Sequence, residues 1–130
     1  MKKIIVFITV LFSALLLSSC QVKEETKISY EISASSVHLS GLEDLAKWSL
    51  INAAYANEIS KLGFQIESGT YYSTVGFPDE CDDLVVSACK VAEASLGDVT
   101  LEGYVTVQVE AIYWNNGERA VIYTHKYGKE

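Results

Sequence analysis

Alternation of apolar and polar residues predicts the first strand of the chain. Over residues 27–34 every second side chain is apolar, namely Ile28, Tyr30 and Ile32, and serine or glutamate stands between them. Successive side chains of a strand point to opposite faces of a sheet, so a period of two places one face in a core. The pattern therefore predicts a half-buried strand.

Apolar residues then recur at the three- and four-residue steps of a helix: Leu45, Trp48, Ile51, Tyr55, Ile59 and Leu62. Ser40 and Glu43 have the spacing of a capping box, in which each side chain accepts a hydrogen bond from an amide at the helix start. Gly63 is a typical C-terminal stop. We expect a helix that runs to about residue 62. Because its middle is apolar on nearly all sides, we expect it to be covered on more than one side.

Residues 64–97 predict a strand and a second helix. Phe64 to Val75 favours a strand that is weakened or bent at Gly69. The helix begins at residues 78–80 and ends at Gly97, with this apolar stripe: Val85, Ala88, Cys89, Ala92 and Leu96. Its first residues include four acids that suit the positive end of a helix dipole: Asp79, Glu80, Asp82 and Asp83. A strand over residues 84–91 is the alternative, because β-branched residues are frequent there.

The C-terminal segment predicts a β-hairpin. Residues 99–114 and 119–127 flank Asn115-Asn116-Gly117-Glu118, and Asn-Gly is the preferred centre of a two-residue turn with positive φ at both residues. This turn sets three pairs opposite each other: Trp114 and Arg119, Ile112 and Val121, Glu110 and Tyr123. The predicted core face carries Val105, Val107, Val109, Ala111, Tyr113, Ala120 and Ile122. The element order predicts an α+β fold, in which two helices pack on an antiparallel sheet with a C-terminal β-hairpin.

Residues 1–19 have the three parts of an export signal in order. Lys2 and Lys3 precede an apolar run from Ile4 to Leu17, and two serines follow. The run has 14 residues, and a helix needs about 20 to span a bilayer. A removable signal peptide is therefore favoured over a retained transmembrane helix.

The string Leu17-Ser18-Ser19-Cys20 resembles the lipobox of bacterial lipoproteins. The resemblance covers residues 1–20 only. It implies cleavage before Cys20, whose thiol then carries a diacylglyceryl group with acyl chains such as palmitate. Each buried methylene contributes about 0.8 kcal/mol, so several chains hold a protein that one chain holds only marginally. The resemblance implies that Cys20 is a membrane anchor and that the protein lies in the bacterial cell envelope.

The segment after Cys20 is interpreted as a tether. Gln21 is not the aspartate that retains many enterobacterial lipoproteins at the inner membrane, which favours the outer membrane. Lys23-Glu24-Glu25 resembles the short signal that sends Bacteroidota lipoproteins to the cell surface, and an ordinary charged tether is the equal alternative. We therefore expect a removed signal peptide (1–19), a lipid anchor and tether (20–26) and a single α+β domain (27–130).

The net charge limits the classes of partner that we expect for this protein. The leader contains two of the ten basic residues and none of the 17 acids, so the rest of the chain has a formal charge of −9. Nucleic-acid binding needs clustered basic residues that neutralise phosphates, so we expect no nucleic-acid partner. The expected partners are the membrane, through the lipid anchor, and a protein or a glycan.

No complete catalytic or metal-binding pattern occurs in the sequence, so we assign no catalytic residue, metal or other cofactor. His38 and His125 are the only histidines, and the acids over residues 79–83 lack the spacing of a calcium loop. Ser87-Ala88-Cys89-Lys90 matches the S-x-x-K string of penicillin-recognising enzymes, but suitable partner motifs are missing.

Cys81 and Cys89 form an even pair in an oxidising compartment, which favours a disulfide. Along a helix, however, their separation of eight residues places the Cα atoms about 12 Å apart, and a disulfide allows at most about 7 Å. Either both thiols are free, which we favour slightly, or the helix begins after Cys81.

The remaining candidate is a surface on the predicted hairpin. It combines aromatic with hydrogen-bonding side chains: Tyr104, Glu110, Trp114, Arg119, Tyr123 and His125. Such mixtures are typical of protein–protein and sugar contacts, and ordinary cross-strand pairing is the alternative. A non-enzymatic binding or assembly module would use this surface. A small envelope hydrolase, or an inhibitor of one, would instead need titratable residues that converge in a pocket. We favour the binding module.

Overall fold

The structure is a computed structural model that describes residues 24–68 and 70–129. The predicted signal peptide and Cys20 lie outside the described residues, as do Gln21 to Lys23 of the tether and Gly69. No helix among the described residues is long and apolar enough to cross a membrane.

The described residues form two helices and five strands in this order: β1 (Thr26–His38), α1 (Gly41–Ser60), β2 (Gln65–Glu67), β3 (Tyr71–Gly76), α2 (Pro78–Leu96), β4 (Tyr104–Tyr113) and β5 (Arg119–Gly128). All paired strands are antiparallel and form one sheet of order β2-β3-β1-β4-β5. Both helices pack against this sheet, so the α+β prediction is confirmed.

The core lies between the helices and one face of the sheet, which we call the helix face. Val105, Val107, Val109 and Ala111 of β4 are fully buried there, and the residues between them are partly exposed. α1 adds Ile51, Tyr55 and Ile59, and α2 adds Val85, Cys89 and Ala92. Burial of one valine or isoleucine side chain contributes about 1.5–3 kcal/mol, so this shared core holds both layers together.

The opposite face carries no helix among the described residues, and we call it the open face. Its side chains on the three central strands and β5 include Ser29, Glu31, Ser73, Glu110, Ile112 and Arg119. The outer side of α1 is also exposed, and Leu42, Leu45 and Leu50 each have about half or more of their surface in solvent.

The start of α1 differs from the predicted capping box. Ser40 makes no side-chain cap, and its hydroxyl donates to Glu102 Oε1 at 3.3 Å. The carboxylate of Asp44, not of Glu43, accepts the Ser40 amide at 2.9 Å. It also accepts the amides of Glu102 and Gly103, at 3.0 and 2.8 Å. Asp44 faces inward because these amides of the loop before β4 need an acceptor.

The Asp44 carboxylate joins two segments that are far apart in sequence. It is buried, and hydrogen bonds from the amides of Ser40, then Gly103 and Glu102, hold its pKa below the usual range. An ionised acceptor makes stronger hydrogen bonds than a neutral one, so this contact fixes the start of α1 against the entry to β4.

The single strand predicted over residues 64–75 is wrong. The chain reverses between Glu67 and Tyr71, and the two short strands β2 and β3 pair antiparallel, with Gln65 opposite Ser73. Ser68 has a φ of 55°, a left-handed conformation that a turn requires and a continuous strand does not. The reversal brings Glu67 onto the same face as Ser73, which matters for the site below.

α2 follows the prediction from Pro78 to Gly97, so the alternative strand over residues 84–91 is wrong. Gly97 has a φ of 62°, which glycine adopts at little cost and which ends the helix. The thiols of Cys81 and Cys89 are both free and buried, in agreement with the expectation from helix geometry.

The hairpin exists, but its predicted register and turn are wrong. Five residues, 114–118, connect β4 to β5, and Ile112, not Trp114, lies opposite Arg119. Gly117 has the expected positive φ, at 76°, whereas Asn116 does not. The Gly117 amide donates to the Tyr113 carbonyl at 2.7 Å, and the Asn116 side chain accepts the Glu118 amide at 2.9 Å. These bonds close a wider loop than a two-residue turn.

A β-bulge then shifts the register a second time. Glu110 pairs with Val121, but the next pair is Val109 with Tyr123, so Ile122 is the extra residue of β5. One inserted residue exchanges the two faces of a strand. Beyond Ile122 the side chains of β5 therefore lie on the opposite face from the one that the sequence pattern predicts.

Candidate binding site on the open face

The bulge divides the six residues that the sequence analysis assigned to one surface. Glu110, Trp114 and Arg119 meet at one end of the open face. Tyr104 lies on the same face at the far end of β4, where it stacks with His38 at a centroid distance of 5.9 Å. Eight residues of strand at about 3.3 Å each separate it from Ile112. Tyr123 and His125 lie on the helix face, because they pair with Val109 and Val107.

Trp114 folds back across the open face. Its backbone amide donates to the Lys27 carbonyl at 3.0 Å, which continues the pairing of β4 with β1 by one residue. Its indole N–H donates to Ser29 Oγ at 2.9 Å. The Lys27 ammonium lies 4.6 Å from the ring centroid, within the range of a cation–π contact. The side chain is thus held at two points while 58% of Trp114 remains exposed.

A closed series of contacts supports this tryptophan, and we call it the polar ring: Trp114, Ser29, Ser73, Glu67 and Lys27. The Ser29 and Ser73 hydroxyls lie 2.8 Å apart, and Ser73 donates to Glu67 Oε1 at 3.1 Å. Glu67 Oε2 accepts a hydrogen bond from Lys27 Nζ at 3.2 Å, and the same ammonium lies over the indole of Trp114, which closes the ring. Both serine side chains are buried. Each contact of the polar ring restricts the conformations of the two side chains that it joins.

Glu67 is ionised within the polar ring. Hydrogen bonds from Lys27 and from Ser73 lower its pKa, and partial burial opposes them only in part. A carboxylate that accepts hydrogen bonds from both partners is held in one position, with two oxygens directed toward the ring. Its charge is therefore balanced locally by Lys27.

Arg119 is balanced in the same way by two carboxylates. Its Nη2 lies 3.0 Å from Glu110 Oε1 and 3.6 Å from Glu31 Oε1. The hydrogen bond to Glu110 is the main reason that the pKa of Arg119 is raised. Together with Lys27 and Glu67, the site has three carboxylates and two cations, a formal excess of one negative charge.

Two cavities lie side by side on the open face. The first, which we call the tryptophan pocket, has a volume of about 360 Å³ and is lined among others by Ser29, Glu67, Tyr71, Ile112, Trp114 and Arg119. The second, the edge pocket, has a volume of about 640 Å³ and is lined among others by Lys27, Phe64, Gln65, Glu67, Ser73 and Val75. Glu67 lines both cavities and therefore lies between them, and its ion-pair partner Lys27 lines the edge pocket.

The aromatic residues of the helix face are engaged with carboxylates of α2. Tyr30 and Tyr113 donate to the two oxygens of Asp82, at 2.7 and 2.6 Å. Tyr123 donates to Glu93, whose Oε1 lies 3.4 Å from His125 Nδ1. These hydroxyls satisfy the acids that α2 directs toward the sheet, and they close the rim of the core.

Burial keeps the hydroxyls of three helix-face tyrosines and the thiol of Cys89 protonated. It raises the pKa of Tyr30, Tyr113 and Tyr123 above the usual value, and that of the Cys89 thiol to about 12. A buried thiol with such a pKa is a poor nucleophile at neutral pH. Residues 24–68 and 70–129 also contain no group of three histidine, cysteine, aspartate or glutamate side chains that could hold a metal ion.

Sequence reasoning missed four members of the site: Lys27, Ser29, Glu67 and Ser73. Ser29 stands at a polar position of the first predicted strand, and the pattern assigned it only to the side away from the core, whereas no face was predicted for Ser73. Small hydroxyl residues directly opposite each other in neighbouring strands form hydrogen bonds, but only the strand pairing shows that Ser29 and Ser73 are opposite. Glu67 joins them only because the chain reverses after it.

Comparison of the chain with protein-family models, with curated proteins and with solved structures finds no match.

Proposed function

We propose that this protein is a lipid-anchored, non-enzymatic binding module of the bacterial cell envelope, and that its ligand occupies the tryptophan pocket. One observation carries the binding role: a largely exposed Trp114 is held by the polar ring beside a cavity, on a face that no described helix covers. An exposed aromatic side chain that is fixed before binding loses little conformational entropy when a ligand docks.

The composition of the pocket supports binding over catalysis. Ligand sites combine apolar or aromatic walls with a few polar groups in fixed positions, and the tryptophan pocket has both. Its charged groups are engaged with each other in ion pairs. The alternative of a hydrolase has no specific support from the described residues, because the buried Cys89 and the tyrosines of the helix face are held protonated.

The membrane anchor rests on the lipobox resemblance at Cys20. Its test is Cys20→Ser, which should leave an unprocessed precursor that no longer incorporates labelled palmitate. Normal labelling of this variant would end the lipoprotein interpretation. The proposed location is the outer membrane, since the residue after Cys20 is Gln21.

Display at the cell surface has its own test. If Lys23-Glu24-Glu25 directs export, protease added to intact cells should digest the domain. Changing all three residues to alanine should then protect the domain without lowering its abundance. Protection of the unaltered protein in intact cells would place it in the periplasm.

The binding role is tested by the fluorescence of Trp114. The chain has two tryptophans, so Trp48→Phe leaves Trp114 as the only emitter. We expect a saturable change of its emission when the acylated protein is titrated with a detergent-solubilised envelope fraction of the producing bacterium. The matched control retains Trp48 and carries Trp114→Phe, and it should show no such change. Absence of any saturable change in the first variant contradicts the proposal.

A further inference from the structure

We infer that the ligand is a neutral glycan segment that extends from the tryptophan pocket, past the Lys27–Glu67 pair, into the edge pocket. This inference deepens the proposed function and rests on it. Three properties of the site carry it: charges that are already paired, an exposed aromatic surface beside fixed hydrogen-bonding groups, and two cavities that share one wall.

The paired charges disfavour a charged ligand. An anion would have to displace Glu110 or Glu31 from Arg119, or Glu67 from Lys27, and the local excess of negative charge opposes its approach. A cation would have to compete with the same arginine and lysine for the carboxylates. A neutral ligand keeps all three ion pairs and uses the free lone pairs and N–H groups of these side chains as hydrogen-bonding partners.

The aromatic wall favours a ligand with one apolar and one polar side. Trp114 is exposed, and Tyr71 and Ile112 lie beside it in the pocket. A pyranose ring has C–H groups on one side that pack on an aromatic ring, and hydroxyls around its rim that both donate and accept hydrogen bonds. The rim would meet Arg119 and Glu67, which can donate to and accept from hydroxyls in fixed directions.

The position of the cavities favours a chain of several sugars over a peptide. Both cavities lie on the open face of the sheet and share Glu67, so a linear ligand can cross from one to the other. An extended peptide binds most readily by adding a strand to a sheet edge. Here the sheet edges are β2 and β5, whereas Ser29 and Ile112, which line the tryptophan pocket, belong to interior strands. The edge strand β2 contributes Gln65 and Glu67 to the edge pocket, and the interior strands β3 and β1 contribute Ser73, Val75 and Lys27.

Affinity electrophoresis of the full-length acylated protein in detergent tests the ligand class. Native gels would contain one of four neutral polysaccharides (an α-glucan, a β-glucan, a mannan or a xylan), an anionic polygalacturonate, or neutral glycans released from the envelope of the producing bacterium. Binding of extended peptides would be measured from the change in the fluorescence of Trp114 when a pool of such peptides is added. We expect retardation in at least one neutral glycan.

Three variants locate the contact. Trp114→Ala should lower the affinity for the retarding glycan by about tenfold or more, as expected for a central aromatic contact. Tyr104→Ala is the matched control, an aromatic residue on the same face but outside the pocket, and should leave the affinity unchanged. Gln65→Ala should weaken binding of long oligosaccharides but not of a disaccharide, because it lines the edge pocket alone.

The outcomes separate this inference from the proposed function. Trp114-dependent binding of only the anionic polymer or only the peptides would overturn the neutral glycan and leave the binding module in place. Retardation that Trp114→Ala and Tyr104→Ala reduce equally would also overturn it, because the contact would not be in this pocket. Failure of every probe, together with an unresponsive Trp114 in the envelope titration, would overturn both.

Discussion

The two faces of the sheet use similar residue types for different purposes. On the helix face, tyrosines meet the carboxylates of Asp82 and Glu93, and burial at the edge of the core holds them there. On the open face, Trp114 and Tyr71 lie near the carboxylates of Glu67 and Glu110, and a cavity open to solvent adjoins them. An aromatic residue beside an acid therefore does not by itself identify a site. What distinguishes the two faces is whether a helix covers the aromatic residue.

Alkaline pH should destabilise the helix face first, and this is the largest effect that we expect. Burial raises the pKa of Tyr30, Tyr113, Tyr123 and Tyr127 in the fold, whereas in the unfolded chain tyrosine titrates near pH ~10. The stability that these tyrosines contribute is fully present below that pH and is lost as the pH rises toward the folded-state values.

Circular dichroism and tyrosinate absorbance at increasing pH check this expectation. Unfolding should begin above pH ~10, and tyrosinate should appear together with the loss of structure. Ionisation of these tyrosines in a chain that keeps its helical signal would contradict the assignment of their hydroxyls to the rim of the core.

Removal of one acceptor on the helix face should have the next largest effect. Asp82→Ala leaves the hydroxyls of Tyr30 and Tyr113 without their carboxylate, and Tyr30 is fully buried. A stranded buried hydroxyl costs about 1–3 kcal/mol, so the free energy of unfolding should fall by about that amount. The matched control is Asp83→Ala, which changes an exposed acid next to Asp82. This control should change the free energy of unfolding by less than about 0.5 kcal/mol. Equal effects in urea denaturation would refute the distinction.

Gly117→Val tests the loop that carries Trp114. Gly117 has a φ of 76°, and a Cβ placed on it would meet nothing within 4 Å, so the cost is conformational and not steric contact with neighbours. A β-branched residue in this region should lower the free energy of unfolding by more than about 1 kcal/mol. Gly117→Asn should cost less, because asparagine tolerates the left-handed region. A valine variant as stable as the asparagine variant would mean that the loop adopts another conformation.

Two aromatic truncations compare the faces directly. Tyr123→Ala removes a ring that packs against the core and contacts Tyr55, so it should lower the melting temperature by several degrees, about 4–8 °C per kcal/mol lost. Trp114→Ala should change it much less, because Ser29 keeps its hydrogen bond to Ser73 and the indole is mostly exposed. Differential scanning fluorimetry that ranks Trp114→Ala as the more damaging change would make Trp114 a structural residue.

Acidic pH should remove a stabilising contribution of the open face, and this is the smallest change that we expect. Since the pKa of Glu67 is lowered in the fold, its contribution to stability is present above its usual value near 4.5 and is lost as the pH falls. Glu67→Gln should therefore make stability less dependent on pH below about 4.5. Thermal melts of both proteins at several pH values measure this. A pH dependence that is unchanged in Glu67→Gln would show that the polar ring is not formed in solution.

The sequence pattern predicted most elements because their periodicity has one physical source. A helix or strand with one buried side repeats apolar residues at its own period, whatever its neighbours are. β1, α2 and β4 follow this rule, and β4 alternates without exception from Val105 to Ala111. The reversal between Glu67 and Tyr71 was missed because a glycine in the sequence between them is compatible with a bent strand as well as with a turn.

The candidate site was only partly predictable for a related reason. Glu110, Trp114 and Arg119 were expected on one surface and do lie together, whereas the polar ring depends on pairings between segments 40 or more residues apart, such as Lys27 with Glu67 and Ser29 with Ser73. A pattern within one strand carries no information about which strand lies beside it. The capping prediction at Ser40 failed for the same reason, since Asp44 is directed inward by amides at residues 102 and 103.

The sequence by itself determined the fold class, the extents of both helices and of β5, and the left-handed glycine in the hairpin loop, because each depends on local periodicity or on one residue's backbone freedom. The lipid anchor at Cys20 stays a prediction from the sequence. Only the tertiary structure decided which aromatic residues are exposed. One extra residue, Ile122, sends Tyr123 and His125 to the helix face, and pairing with Ser29 keeps Trp114 on the open face. A shift of one residue in register changes the face but not the composition of a strand, so composition could not show it.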